Sequence, residues 1–198
     1  NIYLKTNLEL IEYLNSRFSD ESLFIIDSNL NNFKIDEQVN ARVSYFDINE
    51  ETKNLTSVEK IWDLLFQYNL NRSSEIVIIG GGVLLDVCAF ASSTFKGGVS
   101  FTFVPSTLLS MVDASHGGKN GFNNTYGKNQ IGTFTLPESV IVCYQLLDTL
   151  PEDHYKDGLI ELIKHGMIAN EKIFNSMITK PSFNVDFEII REGIDVKL

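Results

Sequence analysis

The stretch Glu75-Ile76-Val77-Ile78-Ile79-Gly80-Gly81-Gly82 limits what this chain can become more than any other part of it, because an unbroken apolar, β-branched run passes straight into three glycines. A strand that is apolar on both faces is buried on both faces, as in a parallel sheet covered by helices. A helical pattern follows from about Val83 to Thr94. Strand, glycines and helix in that order leave bare backbone N–H groups at a helix N-terminus, where a phosphate meets no Cβ. The same glycines also suit a tight strand-to-helix turn that holds no ligand. They are not the usual dinucleotide fingerprint, since the third glycine of G-x-G-x-x-G falls at position 85, which is Leu85.

The rest of the pattern agrees with an α/β chain. Leu8, Ile11 and Leu14 recur at helical spacing, Leu23 to Ile26 predicts a strand ending at Asp27, and Val43 to Phe46 predicts another. Thr56 with Glu59 predicts a capping box that opens a helix with Val58, Ile61, Leu65 and Tyr68 on its inner side. Val99 to Val104 is a further strand stopped by Pro105, and Val140 to Cys143 is another. Beyond Pro151 the character changes to helical stretches over Gly158 to Ile168, Glu171 to Ile178, and Phe187 onward. The last of these reaches Asp195-Val196-Lys197-Leu198 with no glycine stop, so the pattern predicts an end inside an element. The expected architecture is a Rossmann-like α/β nucleotide-binding domain over residues 1–150, followed by the beginning of an all-helical domain over residues 151–198.

Composition narrows the partners. The 26 acidic and 16 basic residues give a formal charge of −10, which opposes nonspecific attraction to nucleic acid or an anionic membrane. An anionic ligand therefore depends on a few placed cations. Cys88 and Cys143 lie in apolar runs without metal-ligand spacing, as buried free thiols do in a cytoplasmic protein. No apolar stretch approaches the roughly 18 residues that span a bilayer, and the first 15 residues lack the apolar core of a signal peptide.

Between Pro105 and Gly121 the chain sets out hydroxyls, the carboxylate of Asp113, a Gly117-Gly118 pair and Lys119; Gly127-Lys128-Asn129 adds a second cation and an amide. Lysines among glycines pack poorly but suit a small anionic, oxygen-rich ligand, with ammonium groups on phosphate or carboxylate and Asp113 and Asn129 on hydroxyls. A solvated Gly/Asn loop is the alternative. Glu161 and His165 stand four apart, so a helix puts both on one face, where they can serve a metal together or stand as ordinary helix residues. His154 falls in an exposed first helical turn, and His116 lies inside the Gly/Lys stretch.

Four motifs carry a family resemblance. Gly80 to Asp86 (G-G-G-V-x-x-D), Pro105 to Lys119, Gly127 to Gly132 (G-K-N-x-I-G) and Leu150 to Lys164 occur in the order and spacing of the 3-dehydroquinate synthases, from about Asn49 to Lys197. The resemblance implies an NAD- and metal-dependent lyase of the shikimate pathway, a cytoplasmic homodimer. Such an enzyme converts a seven-carbon keto-acid phosphate (DAHP) to 3-dehydroquinate and phosphate by oxidation, phosphate elimination, reduction and ring closure. It implies NAD against Gly80, Gly81, Gly82 and Val83, with Asp86 in the same pocket and Asp27 and Asn29 near the adenosine ribose. Glu50, Lys53, Ser106, Thr107 and Thr149 match further cofactor contacts. Asp113, Lys119, Lys128, Asn129 and Lys164 match substrate-site residues, and Glu161 a ligand of the catalytic metal, zinc or cobalt, whose other two ligands come from further along the family's chains.

The chain departs from the family pattern at Phe95-Lys96-Gly97-Gly98, where Gly97 replaces a phosphate-binding arginine and Lys96 is the nearest substitute. His116 and Asn120 also stand where a small apolar residue and Thr are usual. Three other readings share the glycine turn: another sugar-phosphate cyclase, a metal-dependent polyol dehydrogenase, and a noncatalytic NAD-binding fragment. The Asp113 to Lys119 motif favours a cyclase, because a simple dehydrogenase has no phosphate leaving group to hold.

Overall fold

The computed structural model describes residues 1–19, 21–30, 33, 42–179 and 185–198. Within them the apolar runs form one six-stranded sheet in the order β1-β8-β5-β4-β2-β3, with every neighbouring pair parallel. The strands are β1 (Ile2–Leu4), β2 (Leu23–Asp27), β3 (Arg42–Phe46), β4 (Glu75–Gly80), β5 (Ser100–Pro105), a hairpin of β6 (Lys119–Asn124) and β7 (Gly127–Phe134), and β8 (Ser139–Cys143). The helices are α1 (Asn7–Arg17), α2 (Leu55–Gln67), α3 (Gly82–Thr94), α4 (Glu152–Ala169), α5 (Glu171–Thr179) and α6 (Phe187–Lys197). The predicted strands and helices are all present, and all but the start of α4 fall within a few residues of expectation.

Local chemistry explains the boundaries. Asn54, in extended conformation, caps α2 by accepting from Ser57 N, so the Thr56/Glu59 box that the sequence predicts is not used and Thr56 lies inside the helix. Asn54 wins because it precedes the helix where Thr56 does not. A capping box does form at Thr6 and Glu9, where Thr6 Oγ1 accepts from Glu9 N and Glu9 returns the bond to Thr6 N. Helix α4 starts at Glu152 rather than Gly158, with Glu152 and Asp153 placing negative charge on its first turn. The Gly/Asn stretch is not a loop but the antiparallel β6–β7 pair, in register from Lys119↔Phe134 to Phe122↔Ile131.

Central strands β2 and β4 bury Leu23, Phe24, Ile25, Ile26, Ile76, Val77, Ile78 and Ile79 completely. Helices α4 and α6 pack onto the segment after β5, which runs through a π-helical turn at Ser110–Ala114. Two glycines permit that approach. A Cβ on Gly158 would lie 2.5 Å from Leu108 Cβ and 2.7 Å from Leu109 N, and one on Gly193 would lie 2.4 Å from Leu162 Cδ2. No described helix is long and apolar enough to cross a membrane.

The Gly158 contact yields a test. In a helix interior Gly→Ala ordinarily stabilises by about 1 kcal/mol, but here the methyl meets backbone and Leu108, and overpacking of this kind costs about 1–3 kcal/mol. Gly158→Ala should therefore lower stability to urea by roughly 1–2 kcal/mol. A neutral or stabilised variant would show that α4 does not sit this close to the 107–111 segment.

Candidate functional site

The sheet creates a crevice where its winding reverses. Strand β2 leads outward to β3, whereas its neighbour β4 leads to β5 on the other side, and ligands of open parallel sheets sit beyond the carboxyl ends of such strands. At that edge Gly80 ends β4 beside Asp27, since a Cβ on Gly80 would lie 3.1 Å from Asp27 Cβ. Asp27 Oδ1 accepts from Asn29 N and Nδ2, which holds both polar side chains at the crevice. Ser106 N donates to Gly80 O (2.9 Å), and a Cβ on Gly81 would lie 3.2 Å from Thr107 Cγ2. Asp27, Asn29, Ser106, Thr107 and the start of α3 at Gly82 and Val83 thus surround one glycine turn.

A buried lysine ties this turn to the hairpin. Lys53 Nζ lies 2.5 Å from Asp86 Oδ2 on α3 and donates to Asn129 Oδ1 on β7 (2.7 Å), with its side chain only 4% exposed. Burial holds the Asp86 carboxyl above its usual range, and Lys53 offsets this only in part. Asn129 carries φ of +54°, a left-handed conformation that asparagine tolerates, and its N–H is fixed by Asn123 Oδ1 at 2.8 Å. Asn123 N donates to Lys53 O (2.8 Å) and Asn123 Nδ2 to Glu50 Oε1 (2.9 Å), while Lys128 pairs with Glu50 at 3.1 Å. Burial raises the Glu50 carboxyl, but Asn123 and Lys128 outweigh it and hold it below its usual range.

A third group lies beside these. A Cβ on Gly82 would stand 3.3 Å from Ala114 Cβ, so α3 begins next to Asp113. Asp113, Glu161 and His165 bring one donor atom each within 4.8 Å of one another. His165 Nε2 is 3.3 Å from Glu161 Oε1, and its side chain is 4% exposed. Lys197 Nζ, at the end of α6, lies 2.5 Å from Asp113 Oδ1, and Lys164 pairs with Glu161. Burial works to raise the Asp113 carboxyl, but Lys197 and then Lys164 overcome it and hold it below its usual range. Nitrogen and oxygen donors of this kind suit zinc or cobalt.

Among the described residues, no side-chain hydrogen bond or ion pair joins the other expected residues to these groups. Lys119 begins β6 with its side chain exposed, and Thr149 is exposed on the 3₁₀ turn after β8, with no hydrogen bond to the glycine turn among the described residues. His116 is buried, its Nε2 is 2.9 Å from Met111 O, and burial lowers its basicity, so it braces the π turn. His154 is exposed and 3.9 Å from Asp157. Lys96 and Gly97 precede β5, at the edge opposite the glycine turn and about 20 Å of strand away. There Lys96 Nζ donates to Leu70 O, and Arg72 Nε donates to Lys96 O. Lys96 therefore cannot stand in for the missing arginine in this crevice. Sequence reasoning did not single out Lys197, Asn123 or the buried state of His165; Lys197 follows Gly193 by one helical turn, a spacing that shows its face only once Gly193 is known to touch α4.

Removing one partner of a buried ion pair costs about 3–5 kcal/mol, less where one side is partly exposed, as Asp86 is at 22%. Lys53→Met should lower stability by about 2–3 kcal/mol, and adding Asp86→Leu should restore most of it. Additive losses in this double-mutant cycle, read by chemical denaturation, would contradict the coupling.

Comparison with known proteins agrees with this geometry. The family model for the 3-dehydroquinate synthase N-terminal region matches residues 44–157. The 3-dehydroquinate synthase of Pelagibacter ubique is 39% identical over 180 residues, 88% of this chain and 48% of that protein. That of a Picosynechococcus strain is 45% identical over 128 residues, 65% of this chain and 35% of that protein. The chain thus spans about half the length, or less, of the curated relatives it matches. Among solved structures, 2-epi-5-epi-valiolone synthase from Streptomyces hygroscopicus, with NAD+ and Zn2+ bound, superposes with a TM-score of 0.87 at 22% identity, over 98% of this chain and 59% of that one. A 2-deoxy-scyllo-inosose synthase complexed with carbaglucose-6-phosphate, NAD+ and Co2+ gives 0.71 at 26% identity, over 84% and 48%. With residues 44–157, which include the glycine turn and the β6–β7 hairpin, matched by that family's model, this chain belongs to the 3-dehydroquinate synthase family.

Proposed function

We propose that the chain is the cofactor-binding part of a 3-dehydroquinate synthase, which turns the seven-carbon keto-acid phosphate into 3-dehydroquinate and phosphate. The observation that carries this reading is the meeting of glycine turn, lysine-braced hairpin and Asp113/Glu161/His165 cluster at one sheet edge, joined by the close approach of Gly82 to Ala114. Residues 1–150 serve as the NAD-binding domain, and residues 151–198 open the helical domain that carries metal and substrate groups. The enzyme works as a cytoplasmic homodimer, in keeping with an acidic chain whose cysteines are buried and unpaired.

In this reading NAD lies across Gly80, Gly81, Gly82 and Val83, where the N-terminus of α3 offers bare N–H groups to its pyrophosphate. Asp27 and Asn29 face the adenosine ribose; Glu50, Lys53, Asp86, Ser106, Thr107 and Thr149 complete the pocket. Bound NAD would supply hydride transfer from and back to one alcohol of the substrate, and a divalent metal held with the help of Glu161 would supply Lewis acidity there. The chain's own task is positioning. Lys119, Lys128, Lys164 and Lys197 hold phosphate and carboxylate against the chain's overall negative charge, while Asp113 and Asn129 orient hydroxyls. Lys53 keeps Asn129 in place, so the substrate hairpin is set by the same lysine that borders the cofactor. The sequence relatives favour this substrate over those of other cyclases, because the solved cyclases are only 22–26% identical.

The test uses the polypeptide as its gene encodes it, supplied with NAD and the seven-carbon phosphate. Phosphate release without net NADH is expected; accumulating NADH would reassign the chain to the dehydrogenases. Lys119→Met should reduce turnover at least about tenfold, a loss of about 1.4 kcal/mol in transition-state binding, with NAD affinity unchanged. Loss of NAD affinity alone would overturn the division of roles.

A further inference from the structure

We propose that Asn123 is a positioning residue for the reaction, one that sets the turn of the β6–β7 hairpin so that Lys128 and Asn129 are presented to the substrate. The inference rests on the reading above, in which those two residues meet the sugar phosphate and Asn123 has no part. Between the pairs Phe122↔Ile131 and Asn124↔Gly127 the hairpin leaves its register, so that Asn123 on β6 faces residues 128–130 on β7. A bulge of this kind re-aims side chains and is common beside active sites. It also breaks the ladder, and the amides it frees need other partners. Asn123 N donates to Lys53 O (2.8 Å), off the hairpin, and Asn123 Oδ1 accepts the Asn129 N–H (2.8 Å) that the ladder no longer holds.

Packing does little to hold the bulge. Lys128 and Asn129 are exposed, and Asn129 keeps a left-handed φ of +54° that a residue with a Cβ adopts only where its surroundings fix it. The bond from Asn129 N to Asn123 Oδ1 clamps its backbone, and the bond from Lys53 Nζ to Asn129 Oδ1 (2.7 Å) clamps its side chain. Because an ammonium only donates, Lys53 fixes that amide with Oδ1 inward and leaves the Nδ2 donors for an oxygen of the ligand. The other end of Asn123 reaches the partner of Lys128. Its Nδ2 donates to Glu50 Oε1 (2.9 Å), the atom that also pairs with Lys128 Nζ (3.1 Å). One side chain thus fixes the backbone of Asn129 and the counter-ion of Lys128. The amide offers an acceptor and a donor at once; alanine has neither, and aspartate has no donor unless it is protonated.

Backbone amide exchange and steady-state kinetics of the polypeptide as its gene encodes it test this together. In Asn123→Ala the Asn129 N–H should exchange at least about tenfold faster, while the amides of β4 and β5 keep their rates. Its kcat/KM for the seven-carbon phosphate should fall at least about tenfold, as misplaced positioning groups cost up to about a hundredfold, with NAD affinity unchanged. Asn123→Asp keeps the acceptor but sets a second carboxylate against Glu50, in a cluster whose other charges are Lys128, Lys53 and Asp86. Two carboxylates at that distance hold one proton more tightly, and the protonated form regains the donor. Its turnover relative to the unaltered polypeptide should therefore rise as the pH is lowered, a response that a merely structural loss would not show. Asp is nearly the size of Asn, so this pH response decides the question if Asn123→Ala does not fold. Unchanged exchange at Asn129, unchanged turnover in Asn123→Ala, an equal loss of NAD affinity, or a pH-independent defect in Asn123→Asp would overturn the proposal. An unaltered polypeptide that releases no phosphate would defeat the function instead, and the exchange rate of Asn129 would still decide whether Asn123 sets the turn.

Discussion

The parallel pairing of β4 with β5, in register from Glu75↔Ser100 to Gly80↔Pro105, is the interaction on which the rest depends. It brings the glycine turn and Ser106-Thr107 to the same edge, where Ser106 N closes onto Gly80 O. Because β5 ends there, the π turn that follows must begin there too, and Asp113 is delivered next to the N-terminus of α3. Gly158 and Gly193 then let α4 and α6 come close enough to bring Glu161, His165 and Lys197 to Asp113. A one-residue slip between β4 and β5 would turn every side chain of one strand to the other face and separate the two halves of the site.

Charge is used locally against the global balance. The chain carries −10 formally, yet the crevice gathers Lys53, Lys128, Lys164 and Lys197, each held by a carboxylate of the chain. Lys53 differs from the others in being buried. Its bonds to Asp86 and Asn129 make it a brace between α3 and hairpin, whereas Lys128, with 73% of its side chain exposed, keeps its ammonium at the surface where a ligand can take it. Exposed pairs of this kind contribute little to stability and exchange partners at small cost.

Much of this was legible in the residues. The run Glu75 to Gly82 announced a doubly buried strand and its turn because period and glycine act locally. The cap of α2 was misread because Thr56/Glu59 fits the same local pattern as Asn54, and only the helix start decides between them. The β6–β7 hairpin was hidden by Gly and Asn residues that usually mark loops; its pairing places Gly121 and Gly132 opposite each other, where a Cβ on either would lie within 2.4 Å of the facing carbonyl oxygen. The arrangement of Asp113, His165 and Lys197 was beyond sequence patterning, because it arises from contacts between helices separated by tens of residues. The distance of Lys96 from the crevice is not legible in the sequence either, since spacing along the chain does not say at which end of a strand a residue lies.

The central claim is that the crevice at the end of β4 holds NAD through the bare turn Gly80–Gly82. Gly81 has φ of −77°, which any residue can adopt, and a Cβ there stands 3.2 Å from Thr107 Cγ2, which needs only a few tenths of an ångström of yielding. Gly81→Val should therefore fold while placing a side chain at the pyrophosphate's approach. Calorimetric titration is the direct measurement: NAD affinity should fall at least about tenfold, or about 1.4 kcal/mol, in a variant whose circular dichroism is unchanged. Unaltered NAD affinity in that folded variant would contradict the account.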